Sequence, residues 1–197
     1  MMNEPNYRKM SLFDPSGARK YLNEEERQAF LKAAATQIDR QAQTFCMTLN
    51  FTGCRISEAT ALSGNSIDFS GKMVVFESLK KRRRGDFRAV PVPDEYLTTM
   101  DLVHGLRDPK NRKALLWGYP RRTATRRVEE VMALAGLDGV QATAKGLRHG
   151  FAVGAVNAGV PLTTVQKWLG HADLETTAIY TNAMGKEEYE LAKRMWG

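Results

Sequence analysis

The hydrophobic pattern of this chain leaves the helical period in only one place, and that interruption limits the folds open to it. Residues 73–79 (MVVFESL) are β-rich, and 87–92 (FRAVPV) alternate as they run into Pro91 and Pro93. The basic run KKRRRGD joins them, with Gly85 inside it, so the pair reads as a hairpin with a charged tip. Everything else reads as helix. Asn23 ahead of Glu24, Glu25 and Glu26 is an N-cap with acids in the first turn, opening a helix to about Ala35 with Phe30, Leu31 and Ala34 inward. A second helix covers about Arg40 to Asn50 and carries Phe45, Cys46 and Leu49. Thr52-Gly53 breaks it, and Arg55 to Leu62 restarts as a turn or two. Further helices are expected at roughly 94–103, 121–135, 145–158, 162–169, 174–181 and 186–195, with Gly136, Gly159 and Gly170 as stops. Residues 1–22 show little periodicity and read as an arm. With no internal repeat and no low-complexity linker, the expected fold class is α+β, mainly α-helical, with one small antiparallel sheet.

The chain has 197 residues, 43% of them hydrophobic, enough for one ordinary domain with its own core. The longest apolar stretches, such as FAVGAV at 151–156, fall well short of the ~18 residues of a membrane span. The start, MMNEPNYRKM, has no apolar signal-peptide stretch. A soluble, cytoplasmic chain without a membrane partner is therefore expected. Cys46 and Cys54 lack zinc-knuckle spacing and read as reduced core thiols. Lys plus Arg is 29 against 22 Asp plus Glu, a net charge of +7. Segments 80–88 and 107–127 together hold 14 of the 29 cations, with only Asp86 and Asp108 against them. Clustering of this kind is the electrostatic footprint of a polyphosphate partner, and equally of a solvated basic surface.

Four places can carry chemistry. In TGCRISEATAL, 52–62, Gly53 permits a sharp turn and Arg55 lies three residues before Glu58, so the carboxylate can orient the guanidinium. Lys80 and Lys81 leave an apolar strand into a flexible turn, where a lysine can dip into a groove and donate a proton, or simply touch phosphates. In AKGLRHGFAVGAV, 144–156, Lys145 and Arg148 share a helical face suited to a phosphate oxygen. Leu147, Phe151 and Ala155 can form the core stripe, and periodicity leaves open whether Arg148 or His149 faces the site. In KWLGHADLETTAIYTNA, 167–183, Gly170-His171 ends one helix, Asp173 can cap the next, and Tyr180 lies near that helix's end. Taken singly, each of these is as easily a packing or surface feature.

Taken in order, Arg55, Lys80, Lys145-Gly-Leu-Arg148, His171 and Tyr180 resemble the active-site signature of the tyrosine recombinases, the phage integrase and Xer-type family. The flanks resemble it too: T-G-x-R-x-x-E-x-x-x-L, then L-R-H-x-F-A, then L-G-H followed nine residues later by Tyr. The resemblance covers about residues 22–185. The family usually has His where this chain has Lys145. Most members also carry a helical DNA-clamping, core-binding domain ahead of the catalytic one; this sequence has some twenty residues there. It thus resembles the short members, or a truncated chain. The expected organisation is an N-terminal arm over 1–22, a catalytic domain over 23–185, and a C-terminal helix over 186–197 that can dock on a neighbouring protomer.

The resemblance implies a site-specific DNA recombinase, or integrase of a mobile element, that cleaves and rejoins DNA through a 3′-phosphotyrosyl intermediate. Tyr180 would be the nucleophile. Arg55, Arg148 and His171 would bind the non-bridging phosphate oxygens, and Lys80 would protonate the leaving 5′-oxygen. Lys145 or His171 would assist Tyr180 in losing its proton. Lys81, Arg82, Arg83, Arg84, Arg121 and Arg122 would hold the duplex backbone. No cofactor, metal or ATP is expected. Expected partners are double-stranded DNA, further copies of the chain in a tetramer on DNA, and in some systems an accessory DNA-binding protein, at the bacterial nucleoid. The alternatives are a catalytically silent DNA-binding regulator of the same fold and an enzyme that only relaxes supercoils.

Overall fold

The computed structural model describes residues 11–77, 85–182, 189, 192–193 and 195–196. Lys80, Lys81, Arg82, Arg83 and Arg84 lie outside the described residues, as does most of the expected C-terminal helix.

Helix α1 (Glu24–Ala35) begins as its sequence dictates. The Asn23 side chain accepts from the Glu26 N–H at 2.8 Å, and the Glu26 carboxylate accepts from the Asn23 N–H at 2.8 Å. Helix α2 (Arg40–Thr52) starts at Asp39, whose carboxylate accepts from the Gln41 and Ala42 amides, and ends at a left-handed Gly53. It is the central helix, touching α1, α4 (Asp94–His104), α5 (Arg121–Leu134) and α6 (Ala144–Asn157). It is buried on nearly all sides. Its threonines are satisfied inside: Thr48 Oγ1 donates to the Thr44 carbonyl at 2.9 Å, Thr52 Oγ1 donates to the Thr48 carbonyl at 2.6 Å, and Trp117 Nε1 donates to Thr44 Oγ1 at 3.0 Å, whereas Asn50 Oδ1 is buried with no partner among the described residues.

The sheet is a three-stranded antiparallel meander of β1 (Ile67–Asp68), β2 (Met73–Glu77) and β3 (Phe87–Pro91) in the order 1-2-3. Val74 pairs with both Ile67 and Val90, and these three side chains face the core with Phe76. Between α2 and the sheet lies a single helical turn, α3 (Ile56–Ala59). After α6 come α7 (Leu162–Leu169), α8 (Glu175–Ala178) and a tight turn over Ile179–Asn182. The α+β, mainly helical expectation holds.

Two details differ from the sequence reading. The segment 11–22 is irregular, yet Leu12, Tyr21 and Leu22 are fully buried in the core. It lies along α6, where the Leu22 N–H donates to the Gly146 carbonyl at 3.1 Å; a Cβ on Gly150 would collide with the Leu22 carbonyl. Its other backbone bonds close turns within the segment, such as Lys20 N–H to the Leu12 carbonyl at 2.8 Å beside a lone Phe13–Arg19 bridge, and so short a pairing carries no period to read. Asp173 does not cap α8. The residue before that helix is Leu174, already helical at φ −64° and ψ −32°, and no side chain caps it. Cys46 and Cys54 are free thiols in the core, their pKa values pushed up by burial. Among the described residues no helix is long and apolar enough to cross a membrane.

Candidate active site

Gly53 sets the geometry of the site's first side chain. Its φ of 59° ends α2, and a Cβ there would also run into the Phe151 ring, so only glycine lets the chain turn at this point. The turn delivers Arg55 to the start of α3. Glu58 then holds it twice: its carboxylate accepts from the Arg55 backbone N–H at 2.7 Å and from Arg55 Nη1 at 3.1 Å. The Arg55 side chain is 48% exposed while that of Glu58 is 8% exposed, so a buried carboxylate steadies an accessible cation.

That carboxylate is itself steadied by a residue outside the sequence pattern. Arg88, on β3, donates from Nη2 to Glu58 at 2.9 Å and from Nε to the Trp168 carbonyl at 2.7 Å, and lies over the Phe76 ring at 4.5 Å. Burial alone would raise the Glu58 pKa; the Arg88 charge, the Arg55 backbone bond and the Arg55 charge outweigh it and hold the group below the usual carboxylate range. Arg88 is therefore not one of the phosphate-facing cations of the hairpin. The signal was its parity: Arg88 and Val90 share one face of β3, and Val90 is buried.

Arg148 sits on α6, 7% exposed, and joins two helix ends. Its Nη1 donates to the Gly53 carbonyl at 2.6 Å, at the end of α2, and its Nη2 donates to the Leu169 carbonyl at 2.7 Å, at the end of α7. Helix C-termini carry unsatisfied carbonyls and partial negative charge, which suits a cation. Burial, then repulsion from Arg55, lowers its pKa to about 10, so it stays charged at neutral pH.

His171 follows the left-handed Gly170 that closes α7. Its Nδ1 lies 2.9 Å from Thr177 Oγ1, and its ring stacks on Tyr180 with centroids 6.2 Å apart. Burial, then Arg148 and Arg55, lower its pKa to about 3, so it is neutral at physiological pH. Tyr180, in the tight turn after α8, is 1% exposed, and its Oη lies 2.9 Å from His149 Nδ1. Burial pushes its pKa up to about 12, with Arg148 and Arg55 pulling the other way.

These groups converge. One open depression of about 430 Å³ is lined by Arg55, Lys145, Arg148, His149, His171 and Tyr180, with Arg121 at its edge. Arg122 faces an adjoining hollow with Arg126. Both Arg148 and His149 thus border the site, which settles the question that periodicity left open. The basic clusters are less free than their composition suggests: Arg107 pairs with Asp101, Arg126 with Glu130, and Arg127 with Asp39 and Glu130. Among the described residues, no group of three or more His, Cys, Asp or Glu side chains could hold a metal ion.

Residues 20–187 match the phage integrase family. The chain belongs to that family. Among relatives of this integrase-family chain is the tyrosine recombinase XerD of Caulobacter vibrioides, 30% identical over 182 residues, covering 85% of this chain and 58% of that protein. A solved structure of XerA recombinase matches its fold with a TM-score of 0.76 at 24% identity, covering 89% of this chain and 64% of that one. The XerH recombinase bound to its difH substrate matches with a TM-score of 0.69 at 23% identity, covering 94% of this chain and 60% of that one. The chain spans about three-fifths of the length of the curated relatives it matches. These proteins are recombinases by name, which does not favour the silent-regulator alternative.

Proposed function

We propose that this chain is the strand-cleaving and strand-joining module of a site-specific DNA recombinase, with Tyr180 as nucleophile. The observation that carries this reading is the convergence of Arg55, Lys145, Arg148, His171 and Tyr180, from three separate stretches of sequence, on one depression. In this scheme a DNA phosphate enters between Arg55 and Arg148. Their planar, permanently charged forks meet the two non-bridging oxygens, where charge accumulates as a fifth oxygen approaches phosphorus. Each pre-aimed donor of this kind contributes about 3 kcal/mol. Neutral His171 adds a hydrogen bond. The bond from Tyr180 Oη to phosphorus forms as the bond to the 5′-oxygen breaks, and the phenol proton leaves into the depression. Lys80 supplies the proton that the 5′-oxygen needs. Reversal by the 5′-hydroxyl of another strand completes exchange, and the scheme calls on no cofactor.

Duplex DNA is the proposed partner. Arg121 and Arg122 open α5 at its positive end, with no acid in its first turn. Two cations there repel the helix dipole in isolation and are relieved by a phosphate anion. We assign catalysis to 23–185 and protomer docking to 186–197, where Tyr189, Met195 and Trp196 are exposed. A tetramer on DNA, with or without an accessory protein, is the proposed assembly.

The test is a pool of nicked duplexes of randomised sequence, from which covalent protein–DNA adducts are selected and sequenced. The wild-type chain should give an adduct that peptide digestion maps to Tyr180, and Tyr180→Phe should bind DNA and give none. An adduct on Tyr119 or Tyr189, or none at all, overturns the reading.

A further inference from the structure

We propose that His149 donates a hydrogen bond from its Nδ1–H to Tyr180 Oη, positioning the tyrosine and stabilising its phenolate as it attacks. This rests on the reading of Tyr180 as nucleophile. The sequence pattern leaves His149 only as an alternative to Arg148 for facing the site and gives it no chemical role: it follows Arg148 on a helix stretch that is wholly buried.

The geometry points to a donor rather than a base. His149 is 3% exposed, and its Nδ1 lies 2.9 Å from Tyr180 Oη. Its other ring nitrogen, Nε2, is buried with no hydrogen-bond partner among the described residues. A neutral imidazole carries one proton. If Nδ1 accepted from the tyrosine, that proton would sit on Nε2 as a buried N–H with no acceptor, an arrangement rarer and costlier than an unshared lone pair. With the proton on Nδ1, the bond to Oη is made and only a lone pair is left alone.

The surrounding charges agree. Lys145 and Arg148 on α6, Lys20 before α1, His171 after α7 and Tyr180 itself face the ring. Burial, then Lys145, Arg148 and Lys20, depress its pKa to about 4. A general base would have to become a further cation among these; a neutral donor need not change charge. Tyr180 Oη then approaches phosphorus with its lone pairs already met on one side. As the Oη–P bond forms and the P–O5′ bond breaks, the phenol proton passes to water in the depression, and the 5′-oxygen takes up a proton separately.

Two measurements decide this. In the free, isotopically labelled chain, a long-range proton–nitrogen correlation of the His149 ring should show the Nδ1–H tautomer at neutral pH. A ring protonated at Nε2 alone overturns the proposal, whatever the activity. Single-turnover cleavage of a selected nicked duplex is then followed against pH. His149→Phe, which keeps the ring volume and loses the donor, should slow cleavage about ten- to a hundredfold, the usual effect of losing a hydrogen bond to a charged group. Its rate should also rise at higher pH than in the wild type, because the phenol is harder to ionise. His149→Asn should restore most of the rate, since its amide donates from nearly the place of Nδ1 but cannot act as a base. Loss in Asn equal to that in Phe means a base and overturns the proposal, as does wild-type cleavage in both. If His149→Phe does not fold, the tautomer and the Asn pH profile decide alone. If the wild type forms no adduct on Tyr180, the recombinase reading fails instead, and the tautomer still reports on the hydrogen bond.

Discussion

Arg55 and Arg148 face the same depression from opposite mechanical situations. Arg55 is half exposed and leans on Glu58, which retains Arg88 if Arg55 is changed. Arg148 is buried and ties the ends of α2 and α7 together through two backbone carbonyls. Replacing either by lysine keeps charge and loses the fork, so cleavage should fall about 10²- to 10³-fold in both. Stability should separate them. Arg55→Lys should stay within about 1 kcal/mol of wild type, as expected of an accessible ion pair. Arg148→Lys leaves at least one helix-end carbonyl without its charged donor and should cost about 2 kcal/mol or more. Denaturant melts of the two variants check this; equal melts would mean the two carbonyl bonds do not brace the site. At this scale the sequence was most readable where a residue type has one job. Arginines, a lysine, a histidine and a tyrosine in family order pointed to the depression. His149 stood only as an alternative to Arg148 and its role was not readable, because residues 146–153 are all buried and a helix stretch without an exposed face has no readable stripe.

Elements matter because they carry these side chains to one another. The hairpin is joined to the site by Arg88, which reaches from β3 to Glu58 on α3 and to the end of α7. Glu58 and Arg88 are 8% and 10% exposed, so removing one partner strands a buried charge. Arg88→Met should therefore destabilise the fold by about 3 kcal/mol, and it should reduce cleavage through loosened positioning of Arg55. The double variant Glu58→Gln, Arg88→Met should be markedly less unstable than the two single changes added together. Strict additivity in a double-mutant cycle would show that the pair is not coupled. Helix and strand positions were legible because caps, glycine stops and the change of period are local signals. Asn23, Gly53 and Gly170 each do what local chemistry requires of them. What escaped was long-range. The packing of 11–22 against α6, and the reach of Arg88 to Glu58, depend on contacts between distant stretches that no window of sequence contains.

The whole molecule has three histidines, and folding lowers the pKa of all three. Burial lowers the pKa of His104. Burial first and neighbouring cations second take His149 to about 4 and His171 to about 3. Unfolded, each returns to about 6.5. The sign follows from linkage. Above pH ~6.5 neither state holds these protons, and stability is fully present. Between ~6.5 and ~4 the unfolded chain takes up protons that the native chain refuses, so stability falls as pH falls. The limiting slope is about 1.4 kcal/mol per pH unit for a buried histidine such as His149, and less for His104 and His171, which retain some contact with water. Glu58 and Glu26, whose pKa values are lowered in the fold, lose their contribution only below the ordinary carboxylate range, so the window from pH 6.5 to 4.5 belongs to the histidines. Urea unfolding at pH 7, 6 and 5 should therefore show a steady loss, and His149→Asn, which has nothing to titrate there, should flatten the slope by roughly 1 kcal/mol per unit. An unchanged slope in that variant would mean that His149 is charged in the folded chain, and a charged ring could not sit beside Arg148 as the fold requires. Bound DNA should act in the opposite direction. A phosphate between Arg55 and Arg148 offsets the cations that depress His171, so its pKa should rise and the acid-side loss should shrink in the complex.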